Sequence, residues 1–121
     1  MTSGPPGWPP RVPPPGVAGW EQAATSWLLD QCPADYRGYD AWRRHPVALG
    51  WVTVRHLQAE LSAMRGAWRD VRPELGPLLP PGSLGDVLEA LTAEGLRLRA
   101  ALRSAEMMVE ALSVRAPTSK R

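Results

Sequence analysis

The residue types that most often carry catalysis are sparse and widely spaced in this chain. Its 121 residues include one cysteine, Cys32, and two histidines, His45 and His56. A zinc site needs three or four converging ligands, and these three residues do not have the spacing of one. The sequence also lacks the glycine-rich phosphate loops and the serine elbow that mark common enzyme classes. We therefore predict no catalytic residue, no cofactor and no metal, and expect that the protein is not an enzyme.

The lone cysteine and the hydropathy of the chain predict where the protein resides. Cys32 cannot form a disulfide within one chain, which favours a reducing compartment. The first residues, MTSGPPGWPPRVPPPG, lack the basic and apolar regions of an export signal. The longest apolar run, residues 47–54, is far shorter than the ~20 residues that a membrane span requires. The expected location is the cytoplasm, without a membrane.

The segment 33–46, PADYRGYDAWRRHP, here called the connector, mixes aromatic and charged side chains between two prolines. Such side chains recur at protein interfaces because they combine a large contact area with polar tips. The candidate interaction surface consists of Asp35, Tyr36, Arg37, Tyr39, Trp42, Arg43, Arg44 and His45. In a structural alternative, the rings close the end of a helical bundle, Asp35 and Asp40 pair with Arg37 or Arg43, and Gly38 makes a left-handed turn. Both interpretations stay open.

Arginines and aromatic rings also allow a nucleic-acid interpretation. The pI of about 9.2 is basic, but the formal net charge is only +2. The chain has a single lysine and no Phe, Ile or Asn, so the codon usage of a GC-rich genome explains much of the arginine content. Acidic residues interrupt the basic runs, and the pattern shows no short helix-turn-helix. Nucleic acid is therefore the less favoured partner. In this alternative it would contact arginines and aromatic rings of the connector and the second helix. The residues concerned are Tyr36, Arg37, Tyr39, Trp42, Arg43, Arg44, Arg55, Arg65, Arg69 and Arg72.

Helical periodicity predicts three elements that would position the connector. The first helix spans about 18–31, with apolar residues at i, i+3, i+4, i+7 and i+8 from Trp20. The second spans about 46–72, from Pro46 to just before Pro73. The third spans about 84–114, after an N-cap at Ser83. Fourteen residues are marginal for an isolated helix, so the first must pack on the others.

The two longer helices carry stripes at alternating steps of three and four residues, the spacing of a coiled-coil seam. The stripe of the second is Val47, Gly50, Val54, Leu57, Leu61, Met64, Trp68 and Val71. The stripe of the third is Leu84, Leu88, Leu91, Gly95, Leu98, Leu102, Ala105, Val109 and Leu112. Residues 47–54 are apolar nearly all round, so we expect them, including Trp51, to be buried beneath the first helix.

Opposite charges favour antiparallel packing of the second and third helices. Residues 47–72 carry four arginines against two acids, whereas residues 84–114 carry three arginines against five acids. Folding back about the turn at 73–83 predicts ion pairs between the helices. The expected partners are Arg65, Arg69 and Arg72 with Asp86, Glu89 and Glu94, and Glu60 with Arg97 or Arg99.

The predicted fold is an all-α domain over residues 17–114, in which a short N-terminal helix packs on a long antiparallel helical hairpin as a three-helix bundle. Residues 1–16 contain seven of the fourteen prolines and are expected to form a disordered arm, either a linker or a docking peptide around Trp8. Residues 115–121 are expected to be a frayed basic tail.

The strings DYRGY (35–39) and RRHPV (43–47) resemble small uncharacterised helical proteins of GC-rich actinobacteria, over about residues 18–113. The resemblance implies no activity and no functional residue. A secreted helical hairpin of the WxG type is similar in size, but its Trp-x-Gly turn is replaced here by PELGPLLPPGS. We predict a small non-enzymatic interaction module whose partner is another protein or a second copy of the chain. The sequence specifies neither the partner nor the process.

Overall fold

The computed structural model describes residues 4–115, and every regular element within them is helical. The four α-helices are α1 (Trp20–Asp30), α2 (Asp40–Arg44), α3 (Pro46–Leu75) and α4 (Ser83–Arg115). Short 3₁₀ turns lie at Ala34–Gly38 and Gly76–Leu78. The predicted all-α class is confirmed, with one short helix, α2, more than the three predicted. Of the predicted C-terminal tail, residues 116–121 lie outside the described part of the chain.

The two long helices, α3 and α4, pack along each other in opposite directions. Near one end, a Cβ added to Gly50 of α3 would lie only 2.7 Å from Cγ2 of Val109 of α4. Near the other end, the Trp68 indole N–H donates a hydrogen bond of 3.2 Å to Thr92 Oγ1. Leu57 and Leu98 fill the contact between these ends and are almost completely buried. Gly50 thus allows a close approach that a larger residue would prevent.

The wide end of the molecule, where α1 packs on α3 and α4, contains most of the core. Leu28 of α1, Leu49 of α3 and Met108 of α4 are fully buried there. Thr53 is also fully buried, and its hydroxyl donates a hydrogen bond of 2.7 Å to the Leu49 carbonyl. This bond removes the cost of burying an unpaired hydroxyl in an apolar layer.

The proline-rich arm belongs to the wide end. Trp8 is only 7 % exposed, and its ring lies 6.0 Å from that of Trp20. Its indole N–H donates to the Val12 carbonyl at 3.0 Å, and Ser104 of α4 donates to the Gly7 carbonyl at 2.6 Å. Disorder is predicted for this arm, whereas residues 4–16 of the structure pack on the core through one buried tryptophan. The prolines of this segment also restrict the unfolded chain. Residues 1–3 lie outside the described part of the chain.

Two helix boundaries differ from those predicted from sequence. The second helix continues through Pro73 to Leu75, and the Gly76 N–H bonds to the carbonyls of Arg72 and Val71. A proline in the last turn removes one hydrogen bond, whereas the half-buried Leu75 gains contact by extending the helix. The first helix begins only at Trp20, because Gly19 before it has a positive φ of 83°.

The predicted burial of Trp51 is wrong. Its side chain is 57 % exposed, and the Arg55 guanidinium lies 5.0 Å from the centre of its ring. With only 11 residues, α1 covers the side of α3 that carries Leu49 and Thr53. Trp51 lies on the opposite side by helical spacing. One short helix therefore cannot bury an apolar segment all round.

Among the described residues, no salt bridge joins the side chains predicted to pair between α3 and α4, although Glu60 of α3 attracts Arg97 of α4 electrostatically. Other charged pairs lie within one helix or join neighbouring segments. These pairs are Arg37 with Asp30, Arg44 with Asp40, Arg69 with Asp70, and Arg97 with Glu94. Partners that are close in sequence need less ordering of long side chains than partners on two helices.

Candidate interaction surface

The connector between α1 and α3 folds as two short helical turns, which fix the direction of its side chains. Pro33 follows the end of α1, and its carbonyl accepts the Tyr36 N–H at 2.9 Å. The Tyr39 carbonyl then accepts the Trp42 N–H at 3.1 Å as α2 begins. The connector is therefore regular, although the sequence indicates only a proline-bounded loop.

Two of the predicted surface residues, Tyr36 and Trp42, form a stacked pair against the core. Their ring centres are 5.3 Å apart with an interplanar angle of 5°. The Tyr36 hydroxyl also shares a hydrogen bond of 2.7 Å with Nε2 of His56 on α3. Both aromatic side chains are half-buried and pack on the core cluster. These two rings therefore pack against the helical bundle, as the structural alternative predicts. His56 of α3 joins them as a third ring, which the spacing of residues in the connector could not indicate.

The other six predicted surface residues are exposed. Tyr39 sets its edge against Tyr36 at 6.0 Å and leaves most of its own ring in solvent. The remaining five exposed residues are Asp35, Arg37, Arg43, Arg44 and His45. Six of the eight predicted residues thus form an exposed, mainly polar layer on the connector, and the other two, Tyr36 and Trp42, form a fixed aromatic pair against the core.

The polar contacts of the connector differ from those predicted. Arg37 pairs with Asp30 at the end of α1, and Asp40 pairs with Arg44 at 3.1 Å within α2. Arg43 donates a hydrogen bond of 2.8 Å to the Arg37 carbonyl. The predicted pairing of Asp35 or Asp40 with Arg37 or Arg43 is therefore wrong. Gly38 is not left-handed either, because the 3₁₀ turn uses ordinary negative φ values.

A shallow groove of about 440 Å³ separates the connector from α1. Arg37 and Arg43 form its wall on the connector side. From α1, Thr25 and Ser26 contribute hydroxyls, Gln22 an amide and Glu21 a carboxylate. Pro46 and Leu29 add apolar surface. The groove can accept a polar side chain or an exposed carbonyl of a partner next to two guanidinium groups.

Two polar groups beneath the connector face the core. Burial raises the pKa of the Cys32 thiol above its usual value, and its Sγ lies 3.2 Å from Thr53 Oγ1. This environment favours a neutral thiol. The Trp42 indole nitrogen is buried, and the described residues give it no hydrogen-bond partner. Residues 4–115 contain no group of three or more His, Cys, Asp or Glu that could hold a metal ion.

A second exposed surface, which the sequence pattern did not predict, lies on α3 and α4. Trp68 is 45 % exposed although the predicted stripe places it in the seam, and Leu96 is 60 % exposed. The Arg72 guanidinium lies 5.7 Å from the centre of the Trp68 ring. In the sequence, this surface is indicated only by Leu96, a large apolar residue that lies outside the predicted stripe of the third helix.

Comparison with known proteins identified no relative of this chain. No family model, no curated protein and no solved structure matches the chain. Among the helices that the structure describes, none has the length and apolar character needed to cross a membrane.

Proposed function

We propose that the protein is a small non-enzymatic helical module that binds another protein in the cytoplasm through the connector of residues 35–45. In this proposal α1, α3 and α4 act as a three-helix bundle that holds the connector at the wide end. The observation that carries the proposal is the exposed polar layer over the fixed Tyr36–Trp42 pair. A surface that is ordered before binding loses less conformational entropy when a partner arrives.

The chemistry of the connector favours a partner with an acidic, polar surface. Arg37, Arg43 and Arg44 are exposed, and the first two also line the groove beside α1. Tyr39 supplies an exposed ring among these arginines, a combination that is enriched at binding hot spots.

The test is a double charge reversal, Arg43→Glu with Arg44→Glu. Proteins crosslinked to the wild-type chain in its native cell would be identified, purified and titrated against both chains. We expect the variant to bind at least about tenfold more weakly, because two arginines of the contact become repulsive. Unchanged affinity would remove the connector from the proposal.

A matched control reverses the same charge elsewhere, with Arg11→Glu and Arg69→Glu. Both residues are exposed, and the ion pair of Arg69 is with its sequence neighbour Asp70. Equal weakening by the control would indicate general attraction by net charge instead of a local contact. Thermal unfolding of both variants verifies that each remains folded.

A second copy of the chain is included among the possible protein partners. Sedimentation at micromolar concentration measures this directly. A strict monomer would remove the homodimer from the proposal and leave the heterologous partner.

Nucleic acid is the second candidate, supported by one specific observation. Positions 51, 55, 58, 62, 65, 69 and 72 recur at steps of four and three along α3, and all are exposed. Four of them, Arg55, Arg65, Arg69 and Arg72, are basic and none is acidic. Binding to duplex DNA or RNA that weakens steeply with salt would support this function. No binding at low ionic strength would exclude it.

A further inference from the structure

A second groove, here called the narrow-end groove, runs between α3 and α4 at the end that α1 does not cover. Its volume is about 320 Å³. Leu61, Met64 and Trp68 line it from α3, and Leu91 and Leu96 line it from α4. Two of these side chains, Trp68 and Leu96, are among the most exposed large apolar residues of the described chain. Apolar residues concentrated in one groove indicate a contact site.

The lengths of the helices explain why this groove is uncovered. With 11 residues α1 is roughly 16 Å long, whereas α3 with 30 residues extends roughly 45 Å. Two antiparallel helices offer a groove into which the apolar face of a further helix fits. Gly95 lies in the lining, and a Cβ added to it would meet nothing within 4 Å. There is thus open space for the side chains of an additional helix.

The charges around the groove select the kind of helix. Arg65 and Arg99 belong to its lining, which contains no acidic residue. Within the described residues neither guanidinium forms an ion pair. Arg72 adds a third cation over the Trp68 ring. If two copies met symmetrically at this groove, these arginines would face each other, so the charge disfavours a second copy of the chain.

We propose that the narrow-end groove binds an amphipathic helix of a partner protein, with aliphatic side chains on one face and Glu or Asp along its flanks. The aliphatic face would contact Trp68 and Leu96 above the open space at Gly95. The acidic flanks would pair with Arg65 and Arg99. This contact is independent of the connector and does not require that the connector binds a protein.

The test uses Gly95→Leu to fill the groove without a clash. Because leucine favours the helix more than glycine does, we expect the variant to unfold at the same temperature as the wild type or higher. The control, Gly66→Leu, adds the same side chain outside the groove. A Cβ at residue 66 would meet only the end of the Arg69 side chain, at 3.6 Å.

The probe is a displayed library of helical peptides of about 21 residues, with leucine at the a and d positions and Glu, Lys, Gln or Ser at random elsewhere. Selection on the full wild-type chain should enrich peptides with Glu beside the leucine stripe. Gly95→Leu should weaken their binding at least about tenfold, whereas Gly66→Leu and the Arg43→Glu, Arg44→Glu chain should bind within about twofold of wild type.

Three results would overturn the proposal. The first is a selection whose enriched peptides bind the Gly95→Leu chain equally well, or are neutral or basic. The second is a dimer, measured by sedimentation, that Gly95→Leu dissociates, because the groove would then be covered by a second copy. The third is binding of DNA or RNA that Gly95→Leu abolishes. Loss of peptide binding in the Arg43→Glu, Arg44→Glu chain would also contradict the independence of the two surfaces.

Discussion

The two ends of the α3–α4 pair differ in how completely they bury their apolar stripes. At the wide end Leu49 and Met108 are fully buried, because α1 and the proline-rich arm cover them. Toward the turn, Leu84, Leu88 and Leu91 are only half-buried, although they continue the same stripe. Two helices alone leave part of each stripe open to solvent. A third layer of chain that covers both stripes is needed to bury them completely.

This difference distinguishes the end that contributes most of the stability from the end that keeps apolar surface exposed. The fully buried side chains of the wide end contribute most of the transfer free energy, at about 1.5–3 kcal/mol for each large aliphatic residue. The narrow end retains apolar surface that a partner can still cover. Variants at matched positions of the two ends test whether the division is real.

The largest expected effect is a leucine truncation at the wide end. Leu28→Ala leaves a cavity beneath a fully buried side chain, so we expect the free energy of unfolding to fall by about 2–5 kcal/mol. Leu88→Ala, at a half-buried position of the narrow end, should lower it by about 1 kcal/mol. Urea unfolding followed by circular dichroism measures both. Equal losses would mean that the two ends contribute alike.

The second prediction concerns the arm. Trp8→Ala removes the ring beside Trp20 and should lower the free energy of unfolding by about 3 kcal/mol. The control Val17→Ala, at an exposed position of the same segment, should change it by less than about 0.5 kcal/mol. An arm that does not belong to the core would give nearly no change for either variant. The measurement is again urea unfolding.

A smaller effect is expected where the connector is tied to α3. Tyr36→Phe removes the hydrogen bond to His56 but keeps the stacked ring, so the expected loss is about 1 kcal/mol. Tyr39→Phe removes an exposed hydroxyl and should be close to neutral. If thermal unfolding showed the same shift for both, the bond between Tyr36 and His56 would have no special role in fixing the connector.

The smallest effect is the pH dependence of Cys32. Burial raises the pKa of its thiol in the folded protein, so the folded state holds this proton more tightly than the unfolded state. Its contribution to stability is complete below the unfolded pKa, about 8.5, and is lost as the pH rises through the folded value. Between pH 7 and pH 10, wild type should therefore lose more stability than Cys32→Ala. Identical pH profiles would show that the thiol is not stabilised by burial.

The sequence predicted the helices well where periodicity is strong. The stripes of the two long helices contain Leu57, Leu61 and Leu98, which are buried, and their spacing alone identified them. Periodicity shows which side chains share a face, but it does not show whether a neighbour covers that face. Trp51 and Trp68 are exposed for this reason, since α1 is too short and lies on another side of α3.

The candidate site was predictable in composition but not in arrangement. The mixture of Tyr, Trp and Arg identified the connector, yet the stacking of Tyr36 on Trp42 and the bond to His56 depend on the packing of the connector against α3. The packing of the proline-rich arm on the core was not predicted, because it depends on tertiary contacts. Nothing local in a run of prolines indicates that Trp8 reaches Trp20.

The hydrogen bond from Ser104 to the Gly7 carbonyl has a consequence for biosynthesis. It joins residues 97 positions apart, so the arm leaves the ribosome long before its docking site on α4 exists. At about 5–20 residues per second, that interval is roughly 5–20 s. The arm is therefore made well before the part of α4 on which it packs. During translation its indole and prolines are open to chaperones, which would compete with the late closure of this long loop.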